Sequence, residues 1–263
     1  YTTPVVGVLR DTTGDGRIDT SDVPDVAFTT VSDWLVVLAG DTGAERWAVA
    51  GVDGHAGVAL ADVDGDGVSD LLTVDTDGHP VLFDASGVVS WTSAAVASAS
   101  YPLPAVADLD GDGSPEALVD DVVLNGVTGA LEAQLPANSA EPYRMATAGD
   151  LDLDGRQEIL FGDTVFDASG TPLWSANVDG PYGLWSAAID VDGDPEGEVL
   201  VFGAGTLAVF EADGTELLRT IDPSWDRPGP PCVADFDGDG AVEIGFASYD
   251  VFSVLELDGA VVW

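Results

Sequence analysis

Six short stretches of this chain place acidic side chains at alternate positions. They read "DTTGDGRID" from Asp11, "DVDGDGVSD" from Asp62, "DLDGDGSPE" from Asp108, "DLDLDGRQE" from Asp150, "DVDGDPEGE" from Asp190 and "DFDGDGAVE" from Asp235. Numbered from one to nine, every stretch has a carboxylate at positions 1, 5 and 9, and all but the first have one at position 3. The first offers Asp11, Thr13, Asp15 and Asp19; the second Asp62, Asp64, Asp66 and Asp70; the third Asp108, Asp110, Asp112 and Glu116. The fourth offers Asp150, Asp152, Asp154 and Glu158; the fifth Asp190, Asp192, Asp194 and Glu198; the sixth Asp235, Asp237, Asp239 and Glu243. Like charges this close repel unless a cation sits among them. Alternate side chains on a tightly curled loop converge on one centre, and the position-7 carbonyl joins them. That carbonyl belongs to Arg17, Val68, Ser114, Arg156, Glu196 or Ala241.

A cage of hard oxygen donors suits calcium, which takes about 6–8 oxygens at about 2.3–2.6 Å, better than magnesium, which insists on an octahedron. Neither Cys nor His stands in the six stretches, which argues against zinc, copper and iron. The EF-hand uses the same early positions but needs a carboxylate at position 12 and helices on both sides. Position 12 is Thr73, Val119, Phe161, Val201 and Phe246 in the later loops, and only the first offers Asp22. A single Asp-Gly match would be ordinary hairpin chemistry. Six in phase predict about one calcium per repeat, up to six. The fifth is the weakest site, because Pro195 stands where the others have Gly and cannot reach positive φ.

The rest of the composition narrows the partners. The 263 residues carry 48 Asp plus Glu against seven Arg and no Lys, a formal charge of −41. Such a surface repels nucleic acid and anionic membranes. No run of 18 apolar residues offers a membrane span. With 46% hydrophobic residues the chain can bury a core, so its acidity is not that of a disordered tail. Without Lys there is no Schiff-base chemistry and no phosphate-loop lysine. The single Cys232 excludes an internal disulfide.

The loops recur at intervals of 51, 46, 42, 40 and 45 residues, and periods of this size mean a solenoid, a propeller or an array of modules. Each nonapeptide is followed by a short apolar run, a turn, a second run, a Gly turn and a third run, as in "VLFDASGVVSW" and "TVFDASGTPLW". These runs read as strands and hairpins. Four residues past the turn glycine stand Trp47, Trp91, Ala133, Trp174, Leu218 and Trp263; three residues before each nonapeptide stand Val8, Ala59, Ala105, Thr147, Ala187 and Cys232. A small column beside a large one is packing logic, which predicts a core position for Cys232. Four antiparallel strands per repeat predict an all-β fold, a β-propeller of six blades over 1–50, 51–93, 94–136, 137–178, 179–222 and 223–263. The six blades form one propeller over 1–263, or they are part of a longer array.

The "D-x-D-G-D-G-x-x-D/E" loops resemble the FG-GAP and VCBS repeats of integrin α-subunit-like propellers over essentially the whole chain. Phe161-Gly162 and Phe202-Gly203 supply the Phe-Gly pair, while "PAVAD" and "CVAD" stand where the Gly-Ala-Pro half of the motif would be. The closer likeness is to the looser repeats of large secreted bacterial proteins. The resemblance implies a calcium-stabilised propeller, extracellular, either secreted or at a cell surface, whose partner is a protein or a glycan.

In such a blade the acidic loop and the connection from the preceding blade lie at opposite ends of the first strand. The connections carry His55, Tyr101, Tyr143, Arg144, Tyr182, Trp185 and Trp225, with Arg227. Aromatic rings beside a few polar groups are what sugar or protein recognition requires; packing between blades would use the same rings. No nucleophile elbow, HExxH or phosphate loop appears. The expectation is a non-catalytic adhesion or recognition module in which calcium is structural. A plain scaffold within a larger surface protein is one alternative, and a polysaccharide lyase using Tyr143 or Arg144 is the other.

Overall fold

The computed structural model describes residues 3–97, 101–136, 145–178, 184–191, 193–203, 205–222, 229–248 and 251–262. Two compact units divide the chain, one of residues 1–108 with 112–135 and one of 109–111 with 136–263. Among the described residues all regular structure is strand.

The first unit holds three antiparallel meanders. The first sheet is β1 (Val5–Gly7), β2 (Asp25–Thr30), β3 (Trp34–Ala39) and β4 (Glu45–Ala50). The second is β5 (Ala59–Ala61), β6 (Asp70–Val74), β7 (Pro80–Phe83) and β8 (Val89–Thr92). The third is β9 (Pro104–Ala107), β10 (Glu116–Val119), β11 (Val122–Asn125) and β12 (Leu131–Gln134). The second unit repeats the pattern. Its sheets are β13 (Ala146–Gly149) to β16 (Pro172–Ser175) through β14 (Glu158–Phe161) and β15 (Thr164–Phe166), then β17 (Trp185–Ile189) to β20 (Glu216–Ile221) through β18 (Glu198–Gly203) and β19 (Thr206–Phe210). The sixth sheet has three strands, β21 (Cys232–Ala234), β22 (Glu243–Ser248) and β23 (Val251–Leu255), and a bridge from Leu255 to Val261 marks its fourth edge.

The middle strands carry the core. All of β6, β10, β14 and β18 is buried, which explains their unbroken apolar runs: a strand covered on both faces needs no polar alternation. The outer strands β8, β12 and β16 alternate instead or lie exposed. Within the first unit one cluster joins Leu35, Val37, Leu71 and Phe83 and another joins Leu72, Trp91, Ala117 and Leu124. Within the second, Leu160 and Val165 pack with Val199 and Phe210, and Phe202 packs with Phe246.

A shared bulge fixes the large column. The pairing of the third and fourth strands slips by one residue at the same place in five sheets, setting Trp47 opposite Val37, Trp91 opposite Leu82, Ala133 opposite Val123, Trp174 opposite Val165 and Leu218 opposite Val209. Cys232 departs from the core position expected for it: the residue is exposed, its thiol 3.3 Å from the Gly245 carbonyl. Its partner across the ladder is Gly245, which has no side chain to cover the sulfur.

Candidate metal centres

Each acidic loop joins the first two strands of its sheet, and backbone N–H groups aim its carboxylates. Backbone N–H groups hold the position-1 aspartate, in three loops by both oxygens at the same two positions. In the first, second and sixth loops Oδ1 accepts from the position-4 N–H (Gly14, Gly65 and Gly238 at 2.5, 2.9 and 2.6 Å) and Oδ2 from the position-6 N–H (Gly16, Gly67 and Gly240 at 2.8, 2.9 and 3.1 Å). Asp108 and Asp150 accept the same position-6 bond from Gly113 and Gly155. The position-5 aspartate accepts the position-7 N–H in all six loops, at 2.7–2.9 Å. Asp64, Asp152 and Asp237 at position 3 accept from position 5.

Two backbone positions make this curl. Position 6 has φ between 83° and 96° at Gly16, Gly67, Gly113, Gly155 and Gly240, the left-handed region that glycine enters freely. Position 4 is left-handed as well, at Gly14, Gly65, Gly111, Gly193 and Gly238, and in the fourth loop Leu153 is forced to φ 62°. The sequence reading had singled out only position 6.

The position-9 acid begins the second strand and is buried as Asp70, Glu116, Glu158, Glu198 and Glu243. One oxygen of Asp70, Glu158, Glu198 and Glu243 accepts the N–H of position 2, at 3.1, 2.9, 2.7 and 2.6 Å. The first loop is built otherwise. Asp19 is exposed, and Asp22, 5% exposed, accepts the N–H groups of Thr12, Thr13 and Asp19 at 2.6, 2.9 and 3.0 Å. Sequence reasoning noted Asp22 only as an EF-hand remnant; its position-12 spacing was the available signal.

Carboxylate oxygens of Asp235, Asp237, Asp239 and Glu243 lie within 4.8 Å of one another, as do those of Asp62, Asp64 and Asp66 and those of Asp150, Asp152 and Glu158. These clusters can hold a metal ion, and a sphere of calcium–oxygen bonds of about 2.3–2.6 Å has that span. Buried oxygens in two of them lack a protein partner. Glu243 is fully buried, yet its Oε1 receives no hydrogen bond, and Asp150 Oδ1 is in the same condition. A buried anionic oxygen left unpaired is costly, so a cation fits. The boundary between the units runs through the third loop, where Asp108 and Asp112 belong to the first unit and Asp110 to the second. In the fifth loop Asp192 lies outside the described residues, and Pro195 supplies no N–H to Asp190, which keeps its Gly193 bond at 2.8 Å.

The crowding shows in proton affinity. Burial, then the charges of Asp64, Asp66 and Asp62, push Asp70 up to about 6. Burial and then Asp152 raise Glu158 in the same way. Asp11 is held below the usual carboxylate range by the N–H groups of Gly16 and Gly14. Asp22 falls to about 2, chiefly through the Asp19 N–H.

The opposite ends of the strands are less well provided. In the first unit the His55 ring meets the Tyr101 ring edge-on at 5.3 Å, and its Nδ1 lies 3.4 Å from Asp53 Oδ1. Of the two readings open for these rings, Trp185 takes the packed one. It is 7% exposed and lies in β17 opposite Phe202, because the ring belongs to the strand and not to the connection before it. Tyr143, Arg144, Tyr182, Trp225 and Arg227 lie outside the described residues. Among the described residues no helix is long and apolar enough to cross a membrane.

No family model matches the chain, and no curated protein matches it. Solved structures do. The Vibrio cholerae biofilm matrix protein Bap1 aligns with a TM-score of 0.70 at 21% identity, over 97% of this chain and 52% of its own. A rhamnogalacturonan lyase from Bacillus licheniformis aligns at 0.66 and 16%, over 99% and 57%. BamB from Moraxella catarrhalis aligns at 0.64 and 18%, over 98% and 75%. This chain thus spans little more than half of the first two proteins. At these identities the likeness speaks for fold alone, and with the consecutive four-stranded meanders it makes the chain a β-propeller.

Proposed function

We propose that the chain is a calcium-binding propeller of the FG-GAP and VCBS kind, working outside the cell as a recognition module for a glycan or a protein. Where an ion binds, it pins the first two strands of its blade. The observation that carries this reading is Glu243 Oε1, an anionic oxygen buried without a hydrogen bond beside three aspartates. Millimolar calcium outside cells suffices for loops of this type. The pair His55 and Tyr101, at the end of its strands away from the acidic loops, offers the ring and polar groups that recognition needs. Two of the structurally similar proteins are a biofilm matrix protein and a rhamnogalacturonan lyase, which agrees with a polysaccharide-rich setting.

The test is a glycan array in millimolar calcium, repeated in chelator and with Tyr101→Ala. Calcium-dependent hits that this variant loses support the reading. A blank array ends the glycan half and directs the search to a protein partner, and a chain that binds no calcium in a metal titration ends the reading altogether. The likeness to lyases favours one second reading, cleavage of an acidic polysaccharide. Unsaturated ends appearing when the chain is incubated with rhamnogalacturonan would establish it.

A further inference from the structure

The second sheet is covered on the face it turns to the first, and the first sheet's matching face is not. In the second sheet Leu71 stands opposite Phe83 and Thr73 opposite Val81, all between 0 and 4% exposed. Leu71, Val81 and Phe83 pack there on Leu35 and Val37 of the first sheet. The same register in the first sheet sets Val26 opposite Leu38 and Phe28 opposite Val36, and all four are only half-buried. Beside them Val6 is 62% and Trp34 43% exposed. This is why β2 and β3 alternate buried and half-buried residues where β6 and β7 are buried throughout.

The sixth sheet shows the complementary condition on its other face. In the fifth sheet the face turned to the sixth carries Phe202 opposite Leu207, both fully buried, and the Phe202 ring lies 4.4 Å from the Phe246 ring between centres. The same register in the sixth sheet sets Ala247 opposite Phe252, and both are exposed. Phe236 and Cys232 are exposed on this face as well. A Cβ on Gly245 would lie 3.0 Å from Cys232 Sγ and from the tips of the Phe236 and Phe252 rings, so the three side chains form one apolar patch.

These two exposed faces are the two halves of an interface that the chain already builds. Within each unit, a face of the kind seen on the sixth sheet lies on a face of the kind seen on the first. The geometry points to a second copy of this chain as the occupant: the sixth sheet of one copy packs on the first sheet of the next, head to tail, as the fifth packs on the sixth. Such a contact joins two different surfaces, so each copy keeps one face of each kind for further copies. Burial of apolar side chains drives it. The formal charge of −41 opposes it, and salt screens that repulsion. The inference is independent of what the chain recognises.

Sedimentation of the calcium-loaded chain tests this, with alkylation of Cys232, the single thiol, as a second readout. Association that grows with protein concentration is expected, and alkylation should slow severalfold as it grows. Val6→Asp blocks one face and Phe252→Asp the other; both residues are exposed, so both variants should keep the fold. Each variant alone should be monomeric. Their equimolar mixture should form a dimer and nothing larger, because one intact face of each kind remains. Added salt should strengthen the association of the wild type. A monomer at every concentration overturns the proposal. Dimers of either variant alone would mean that like face meets like face, which overturns the head-to-tail contact. Association weakened by salt overturns it too, since ion pairs and not these faces would then hold the copies.

Discussion

The first and sixth sheets both open their second strand with a fully buried acid and handle its charge in opposite ways. Asp25 faces Gly7 across the ladder just as Glu243 faces Ala234. Asp25 is met by Arg46 Nη1 at 2.6 Å and by Arg10 Nε at 3.4 Å. Glu243 receives one backbone N–H, its second oxygen receives nothing, and three aspartates crowd around it. Burying an ion without compensation costs several kcal/mol. Asp25 thus has its cations on its own chain, whereas the acids around Glu243 could hold a metal ion. Loop length allows the difference. Residues 8–24 join the first pair of strands and bring Arg10 to Asp25, whereas residues 235–242 join the sixth pair and bring only acids. Counting acids per loop misses this, since what decides the need for an ion is the company of the strand acid.

The largest effect expected is the removal of calcium. At a hundredfold excess over Kd a bound ion contributes about 2.7 kcal/mol, so chelation should speed amide exchange in β22 about a hundredfold. Amides of β2 should keep their protection, because the arginines of the first sheet remain. Equal loss in both strands would break the comparison. Arg46→Ala is the reciprocal change. It leaves Asp25 with the poorer Arg10 contact and should cost about 3 kcal/mol, by the same amount in calcium and in chelator when followed by urea unfolding. A cost confined to chelator would mean that Asp25 and the first loop share an ion.

Much of this was legible in the sequence, in proportion to how local its causes are. The period, the four strands per repeat and the loop chemistry depend on neighbours within a few residues, and "DGDG" with flanking apolar runs announces them. What escaped depends on partners far along the chain. Arg46 is 21 residues from Asp25, and no local pattern links them. Cys232 sits in a column of small residues and yet is exposed, and no local pattern in the sequence marks the difference. Trp185 was assigned to a connection when β17 already begins there. The left-handed position 4 was visible as a column of glycines, but Leu153 in the fourth loop hid the rule.

A smaller effect sharpens the contrast in the second sheet. Without an ion Asp70 is raised to about 6 by burial and its neighbours. A group whose folded pKa lies above its unfolded value contributes stability that is complete below the unfolded value and disappears as pH rises through the folded one. In chelator, wild type should thus lose stability relative to Asp70→Asn between about pH 4 and pH 7. In calcium the sign should reverse, because the ion binds only the ionised carboxylate and its contribution grows over the same range. Melting curves of both proteins across this range, with and without calcium, check it. A difference of the same sign in both conditions would mean that Asp70 does not face the ion.

The smallest effect compares position 4 in the first and fourth loops. Gly14 and Leu153 adopt the same left-handed backbone, at φ 77° and 62°. A Cβ on Gly14 would meet nothing within 4 Å, so Gly14→Ala measures the backbone cost alone, about 1 kcal/mol. Leu153 is 54% exposed and gives up little buried surface when removed. Leu153→Gly should therefore return most of that strain, less the entropy that glycine adds to the unfolded chain, for a net gain of about 0.5 kcal/mol. Because the strain resides in the backbone and not at the carboxylates, both changes should be equal in calcium and in chelator. If Leu153→Gly instead stabilised only the calcium-loaded chain, the strain at Leu153 would be acting on the ion site, distorting the curl that brings Asp150 and Asp152 together.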